Sequence, residues 1–559
     1  MSWGKRAPAW LAVLFSLALV AAACGGDDEE PAPTGPTGET AEVTGGEWAM
    51  SICEPESLIP QINAETCGSQ VLRGLFTPLI QFEPETEEVI FAVAESIESE
   101  DNVTWTVTLR EGWTFHDGTP VTAQSFVDAW NWGADCVNAA GNNYFFGPAG
   151  VNVVGYDALN PEECPQEAAT EGMSGLQVVD DRTFTVELGA PFSEFPITVG
   201  YNAFYPLPES FFADSEAFNE APVGNGPYMM DGVWEHDRVV NLVRYEDYAG
   251  EDVGNADAVE FTIYANLDTS YRDVQAGGLD IGDVPPDQIE SAQTEFGERF
   301  IEAESSSFSY IGFPLYQEAF SDPDIRVAMS MAIDREAIIS AIFFDTLAPA
   351  DDMASPVVQG YREGACGEAC TYDPEAARQL FEDAGGLSGP LTIWFNNDGG
   401  HEQWIEAVSN QWSQNLGIPQ GDIQFESMPF ARYLGLLDEG IDDDPGTEGV
   451  TGPFRLGWVM DYPSMQNYLE NLHGTDAGSN YTTYSNPEVD DLLAEGKAAG
   501  SLDEAIGFYQ QADDLIIQDL PIIPLWFGVN QQVTSERVSN VIIDKFSFVD
   551  VAAVQVAGE

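Results

Sequence analysis

Positive charge is what this chain lacks most. Across 559 residues Lys+Arg number 18 against 95 Asp+Glu, a formal net charge of -77. Phosphate binding requires clustered cations, so a nucleic-acid partner is excluded. Histidine is nearly as scarce: His116, His236, His401 and His473 are the four, and none sits in an HExxH or Ser-His-Asp context. The chain has neither a GxSxG elbow nor a GxxxxGK[ST] phosphate loop. Gly224, Asn225 and Gly226 lack the third glycine of a dinucleotide fingerprint and read as a turn. Asp442, Asp443 and Asp444 lack the alternating spacing and terminal Glu of a calcium loop and read as solvated. Paired carboxylates carry no weight in so acidic a chain, and no internal repeat is visible. These absences count against an enzyme.

What is present begins at the first residues. Lys5 and Arg6 precede an apolar run at residues 9–20 and then Ala21, Ala22 and Ala23, the zones of a secretory signal peptide at 1–23. The run is shorter than the ~20 residues that span a bilayer, and acidic residues follow at once, so a permanent transmembrane helix is the weaker reading. Cys24, Gly25 and Gly26 come next and resemble a bacterial lipobox, with Ala21 where leucine is favoured. A lipidated Cys24 would hold the protein at the membrane, each buried methylene contributing ~0.8 kcal/mol. Residues 24–45, rich in Asp, Glu, Pro, Thr and Gly, have the composition of a flexible linker. No second membrane segment follows.

The rest, at 44% hydrophobic, can bury a large core and divide into lobes. Its acidic residues are scattered, which gives a solvated acidic surface that self-repels in dilute buffer. A salt-rich habitat is expected, where a Debye length of about 3 Å at ~1 M salt screens that repulsion. Six cysteines besides Cys24 fall into neighbours: Cys53 with Cys67, Cys136 with Cys164, Cys366 with Cys370. Proximity favours these disulfides, as does an oxidising exterior, although six cysteines allow many connectivities. Zinc is the rival at Cys366 and Cys370, yet nothing nearby completes four ligands.

Strand-like and helix-like segments alternate throughout, which argues for an α/β fold. Residues 102–109 alternate polar and apolar (Val103, Trp105, Val107, Leu109) as a half-buried strand, and Thr122 can cap a helix carrying Ala123, Phe126, Val127 and Trp130. Asp373 and Pro374 open a helix that Gly385 closes. Ile405, Val408, Trp412 and Leu416 mark another, ending at Gly417, with Trp412 read as core. Ser501 and Glu504 form a capping box for a helix that ends before Pro521. Residues 541–556, rich in Val, Ile and Phe, are expected to be strand and to close the sheet.

One family fits along nearly the whole mature chain. The segments are EPESLIP (54–60), LRGLFTPLI (72–80), WTVTLREGWTFHDGTPVTAQSFVDAW (105–130), PVGNGPY (222–228), DPDIRVAMSMAIDREAI (322–338), YDPEAARQLFEDAG (372–385), RLGWVMDYPSMQNYL (455–469) and YSNPEVDDLL (484–493). In order and spacing they resemble the family 5 extracellular solute-binding proteins of ABC importers, the oligopeptide and dipeptide binders. The resemblance implies a two-lobed periplasmic-binding-protein fold, type II-like, with an extra subdomain inserted in the first lobe and a two-strand hinge. Mapped here, lobe I takes 46–84, 204–307 and 533–559, the inserted subdomain 85–203 and lobe II 308–532. The hinge strands fall near 308–313 and 527–532.

The resemblance also implies residues. Asp461 of the GWxxDY motif, followed by Tyr462, would take a peptide α-amino group, since a cation enclosed away from water needs an opposite charge. Trp458 would wall a side-chain pocket, and Arg455 would bind a C-terminal carboxylate bidentately. The inserted subdomain would lend Tyr144 or Phe145, and Glu54 would line the floor. Each has a structural alternative: Trp458 as core, Arg455 in an internal ion pair, Asp461 as a loop cap. After Pro463 the family often continues Asp-Pro, whereas Ser464 and Met465 stand here. Other branches bind oligosaccharides, nickel complexes or haem; so few histidines disfavour the last two, and a cello-oligosaccharide competes with peptide for aromatic platforms. The expected protein is a monomeric receptor without cofactor or metal that closes on a peptide and delivers it to a membrane permease. An exported hydrolase is the rival of a different class.

Overall fold

The segment Glu47–Ile52 alternates exposed and buried positions, so Trp48, Met50 and Ile52 turn into the core as a period-2 pattern requires. It pairs in parallel with Ala258–Ile263, from Glu47 opposite Ala258 to Ile52 opposite Ile263. These strands belong to an 11-stranded mixed sheet. Its order is Ile423–Met428, Leu391–Asn396, Phe454–Trp458, Phe300–Gly312, Ile522–Thr534, Ile281–Asp283, Glu47–Ile52, Ala258–Ile263, Val239–Arg244 and Tyr228–Met230, with Ala348–Pro349 beside Ile522–Thr534. This computed structural model describes residues 45–557 apart from 85, 162, 166–171, 398, 442–448 and 476. The signal segment, Cys24, nearly all of the linker, and Asp442, Asp443 and Asp444 lie outside the described residues.

Core packing divides the chain into two lobes. One core draws its buried side chains from residues 48–281 and 538–556, with a satellite under the helices Leu267–Gln275 and Ile289–Phe296. Two others draw theirs from residues 308–527, with Phe546 added. Among the described residues of 308–527 a single buried side chain, Tyr462, belongs to the first core. The lobes are joined through Phe300–Gly312 and Ile522–Thr534, 13 residues each and paired antiparallel from Phe300 opposite Val533 to Gly312 opposite Ile522.

That ladder is broken between Glu304 and Phe308, where Ser305, Ser306 and Ser307 bow out of register. Their polar groups are used elsewhere. Ser305 shares a hydrogen bond with the Ser547 hydroxyl at 2.7 Å, and the Ser306 amide donates to the Lys545 carbonyl at 2.7 Å. Ser306 Oγ accepts the Met460 amide at 3.2 Å and its carbonyl accepts the Tyr468 hydroxyl at 2.7 Å.

A separate four-stranded antiparallel sheet, Ala94–Glu98, Thr104–Leu109, Thr183–Glu187 and Leu176–Asp180, lies within the stretch expected to form the inserted subdomain. Trp105, Val107 and Leu109 are its buried row, and Ala123–Ala134 follows as a helix with the Thr122 amide bonded to Ser125 Oγ at 3.2 Å. The helix Pro374–Asp383 is capped by Asp373 and followed by Gly385 at φ +92°. Glu402–Leu416 ends at Gly417 with φ +80°, and Trp412 is fully buried. Before Leu502–Asp519, Ser501 Oγ accepts the Glu504 amide at 3.3 Å, while Glu504 returns its bond to the Gly500 amide rather than to that of Ser501.

Three disulfides join Cys53 to Cys67, Cys136 to Cys164 and Cys366 to Cys370, with Cα separations of 5.5, 5.9 and 5.5 Å. The C-terminal stretch corrects the sequence reading: of residues 541–556 only Gln555–Val556 is strand, paired with Val538–Ser539 outside the large sheet. Two aspartates turn the chain instead. Asp544 Oδ1 accepts the Phe548 amide, and Asp550 Oδ1 accepts those of Ala552 and Ala553, so Val549, Val551 and Val554 reach the core from turns. Among the described residues no helix is long and apolar enough to cross a membrane.

Candidate functional site

The strand Phe454–Trp458 runs out at Trp458, Pro463 prevents early re-coiling, and Ser464 caps the helix Met465–His473 by accepting the Gln466 amide at 3.0 Å. The intervening turn carries Asp461 to the wall of a cavity of about 1090 Å³. That volume lies just above the ~300–1,000 Å³ usual for small-molecule sites, room for a ligand of several residues. Residues from both lobes line it, among them Tyr144 and Tyr201 on one side and Arg455, Trp458, Asp461 and Tyr481 on the other.

Asn467 and Asn471, one helical turn apart, donate to Asp461 Oδ2 at 2.9 and 3.3 Å. The Tyr201 hydroxyl is a third neutral donor to this carboxylate. Among the described residues no lysine, arginine or histidine pairs with it. Burial pushes the Asp461 carboxyl up to about 7, against the pull of its bonds from Asn467 and Tyr201. Burial also drives the Tyr144 and Tyr201 phenols far above their ordinary value, with the Asp461 charge adding to it. They therefore stay protonated as donors. Asp461 is thus a desolvated carboxyl with only dipoles around it, whose ionised form a cation would stabilise.

Arg455 lies farther along the same strand. Its Nη1 donates to Asn396 Oδ1 at 3.1 Å, and its carbonyl accepts the Tyr433 hydroxyl at 2.8 Å. His401 lines the same cavity; Trp404 Nε1 donates to its Nδ1 at 3.2 Å, which leaves the ring proton on Nε2. Burial, then the charge of Arg455, hold His401 well below the usual histidine range, so it is a neutral donor. A guanidinium and an imidazole N–H on one wall make an anion-accepting region.

Trp458 lines the cavity, half-buried, and its Nε1 donates to Asn467 Oδ1 at 3.0 Å. Tyr144 also lines it and stacks on Phe145 with ring centroids 4.6 Å apart. Phe145 does not reach the cavity: it is 1% exposed, wedged between Tyr144 and Tyr201, and holds both rings. Tyr462 points away from the cavity into the first core, its hydroxyl on Gln466 Oε1 at 2.5 Å. Glu54 is not in the lining either. It accepts from His236 Nδ1 at 2.9 Å and from the Asp237 amide at 2.8 Å. The acid that does face the cavity from this loop is Glu56, whose carboxyl is pushed up by burial and by the charges of Glu65 and Asp438.

Sequence reasoning missed Asn396, His401, Tyr201 and Asn467. For His401 the rarity of histidine was an available signal; for the others the signal lies only in the fold. Among the described residues the one group with metal-ligand chemistry is Cys53, Glu65 and Cys67, but those sulfurs are bonded to each other and Glu65 caps the helix Thr66–Leu75.

Comparison with known proteins is consistent along the chain. A family model described as bacterial extracellular solute-binding proteins, family 5 Middle, matches residues 88–480. The oligopeptide-binding protein OppA of Bacillus subtilis (strain 168) is 25% identical over 555 residues, covering 95% of this chain and 96% of that one. The structure of the Escherichia coli murein tripeptide binding protein MppA superposes with a TM-score of 0.81 at 22% identity, over 92% of this chain and 100% of that one. The unliganded open form of MppA gives a TM-score of 0.66 at 22% identity, over 92% of this chain and 98% of that one.

Proposed function

Because this chain belongs to the bacterial extracellular solute-binding proteins of family 5, we propose that it captures peptides between its lobes and hands them to the permease of an ABC importer. The observation that carries this reading is Asp461: a carboxylate desolvated on an enclosed wall, bonded by Asn467, Asn471 and Tyr201, all neutral. A peptide α-ammonium supplies the missing charge, and the bonds it forms are of the strong, charge-assisted kind. The C-terminal carboxylate goes to Arg455 and the Nε2–H of His401. Trp458 and Tyr144 present rigid aromatic faces to side chains of varied shape. Binding by termini and backbone suits a carrier that accepts many sequences.

Around this site we place the rest of the receptor. The lobes are residues 46–84, 204–307 and 533–559 against 308–532, with 85–203 inserted, and they close about the crossover strands near 308–313 and 527–532. Cys24, lipidated, and the acidic linker tether a monomeric body outside the cytoplasm, at high effective concentration near its permease.

Calorimetric titration with trialanine, its N-acetylated form and its C-terminal amide tests the reading. Trialanine binds, acetylation abolishes binding and amidation weakens it. Equal affinity for free and acetylated peptide removes the ammonium anchor and with it the proposal.

A further inference from the structure

The sequence contains only three lysines, Lys5, Lys497 and Lys545. Lys497 ends the helix Pro487–Lys497 on the Asp461 side of the molecule. Its Nζ is nevertheless spent across the gap, donating to the carbonyls of Pro148 and Gly150 at 2.9 and 3.0 Å. Its third proton goes to Glu470 Oε1 at 2.8 Å. The ammonium stands over the Phe192 ring at 5.6 Å, and the Ser193 amide donates to the Lys497 carbonyl at 3.3 Å. Next to it the Tyr509 hydroxyl donates to Glu194 Oε2 at 2.8 Å, again joining residues of the two sides.

Glu470 connects this contact to the ligand wall. Gln466 Nε2 donates to Glu470 Oε2, and Gln466 Oε1 accepts the Tyr462 hydroxyl at 2.5 Å. Tyr462 directly follows Asp461, and among the described residues its ring is the one from this half of the chain seated in the opposite core. Donors and acceptors are consistent along the whole line: Tyr462 O–H to Gln466 C=O, Gln466 N–H to Glu470, Lys497 N–H to Glu470, and Lys497 N–H to the two carbonyls. Tyr462, Gln466 and Glu470 are buried, and the Lys497 side chain is 12% exposed. A fully satisfied buried polar line has one low-energy arrangement, and separating the lobes breaks it at the Pro148 and Gly150 carbonyls and withdraws the Tyr462 ring.

We propose that Lys497 is an interlobe latch, and that Tyr462, Gln466 and Glu470 couple it to occupancy of the Asp461 site. Lys497 is a positioning residue: it does not touch the ligand but sets how long the lobes stay shut on it. This rests on the peptide-capturing reading above. A ligand pulling on the Asp461 turn fixes the depth of Tyr462 in the opposite core, and so the register of the line that ends on Lys497. In kinetic terms the latch acts on release and not on capture, since the open cleft admits ligand before Lys497 meets its carbonyls.

The test uses the full-length protein, with trialanine as probe in stopped-flow binding, and Lys497→Met and Tyr462→Phe as variants. Lys497→Met accelerates trialanine release by about ten-fold or more and leaves association within about two-fold. Tyr462→Phe, which removes one oxygen and keeps the ring, also accelerates release, and the double variant releases trialanine more slowly than the product of the two single accelerations predicts. Unchanged release in Lys497→Met overturns the latch; strictly additive effects overturn the coupling. Amide exchange in the ligand-free protein stands apart from peptide binding. Lys497→Met raises exchange at Ser193 and across residues 147–153, and unchanged exchange there counts against the latch. If the wild type binds no trialanine while exchange still rises, the latch stands and the peptide reading falls. Thermal unfolding of each variant verifies that the fold is intact.

Discussion

Trp458 and Asp461 are tied together by one atom: Asn467 Oδ1 accepts both the indole N–H of Trp458, at 3.0 Å, and the backbone amide of Asp461, at 2.9 Å. The Nδ2 of the same side chain donates to the Asp461 carboxylate at 2.9 Å. The aromatic wall and the charged anchor are thus placed by a residue that is itself fully buried.

Asn467→Ala leaves a buried indole N–H, an amide and a carboxylate oxygen short of a partner at once. Each buried group left unsatisfied costs about 1–3 kcal/mol. Trialanine affinity measured by calorimetry is expected to fall roughly ten-fold or more, and Asn467→Asp, which keeps the acceptor but adds a charge beside Asp461, is expected to be worse.

The Asp461 carboxyl, raised by burial to about 7, gives binding a pH dependence of definite sign. An ammonium ligand favours the ionised form, so a proton must leave Asp461 when peptide binds below about 7. Affinity therefore rises with pH up to about 7 and falls again above about 8, where the peptide's own α-ammonium loses its proton. In the ligand-free protein the sign reverses: the folded state holds this proton where the unfolded chain has lost it, so stability falls as pH climbs from the ordinary carboxyl range toward 7. Asp461→Asn should flatten both curves, weaken binding, and raise the ligand-free melting temperature at pH above 7.

Glu54 belongs to a surface clip. His236 bonds both Glu54 and Glu220, at 2.9 and 3.1 Å. Slight burial opposes its protonation, but the two carboxylates outweigh it and raise its pKa. The clip is at full strength below the ordinary histidine value and is lost as pH rises through the raised one. Glu54→Gln is expected to lower the His236 titration seen by NMR while leaving trialanine affinity within about two-fold, because an exposed pair away from the cavity contributes ~0–1 kcal/mol.

Arg362 closes a different site. Its Nη2 bonds Asp513 at 2.6 Å and Asp514 at 2.7 Å, and the Asp513 side chain is fully buried. Burial and the adjoining Asp352 hold the Asp513 carboxyl well above the usual carboxylate range. Arg362→Met leaves the buried Asp513 without its cation and should cost about 3–5 kcal/mol of stability in denaturant unfolding. Asp513→Asn, which removes the repulsion as well as the charge, should cost less.

The net charge of -77 makes salt a stabiliser. Raising NaCl from about 0.1 M to about 1 M shortens the Debye length from ~10 Å to ~3 Å, and the melting temperature should climb throughout. A midpoint that stayed flat would remove the salt-rich habitat from consideration.

Regular elements were legible wherever periodicity and caps agreed. Trp105, Val107 and Leu109 alternate as a strand must, and Asp373, Pro374 and Gly385 mark both ends of a helix. The C-terminal stretch was misread because Val, Ile and Phe declare burial and not geometry: Asp544 and Asp550 decide the turns through side-chain bonds that periodicity does not register. At the site, the family resemblance could point to Asp461, Trp458 and Arg455. It could not say that Tyr462 faces the opposite core, or that Tyr201 and His401, distant in sequence by 260 and 60 residues from Asp461, converge on its cavity. Those facts are long-range packing, written in no local pattern.

The three serines that leave the interlobe ladder have a mechanical meaning. If one lobe turns against the other, as the proposed capture requires, torsion would concentrate where rungs are missing, at residues 305–307. That spot is not passive. Ser306 holds the amide of Met460, the neighbour of Asp461, and the hydroxyl of Tyr468, while Ser305 and Ser306 also hold the turn at Lys545 and Ser547. On the peptide-capturing reading, torsion spring and load sensor would be one short piece of chain, and strain from a seated ligand would enter the twisting element with no lever arm between them.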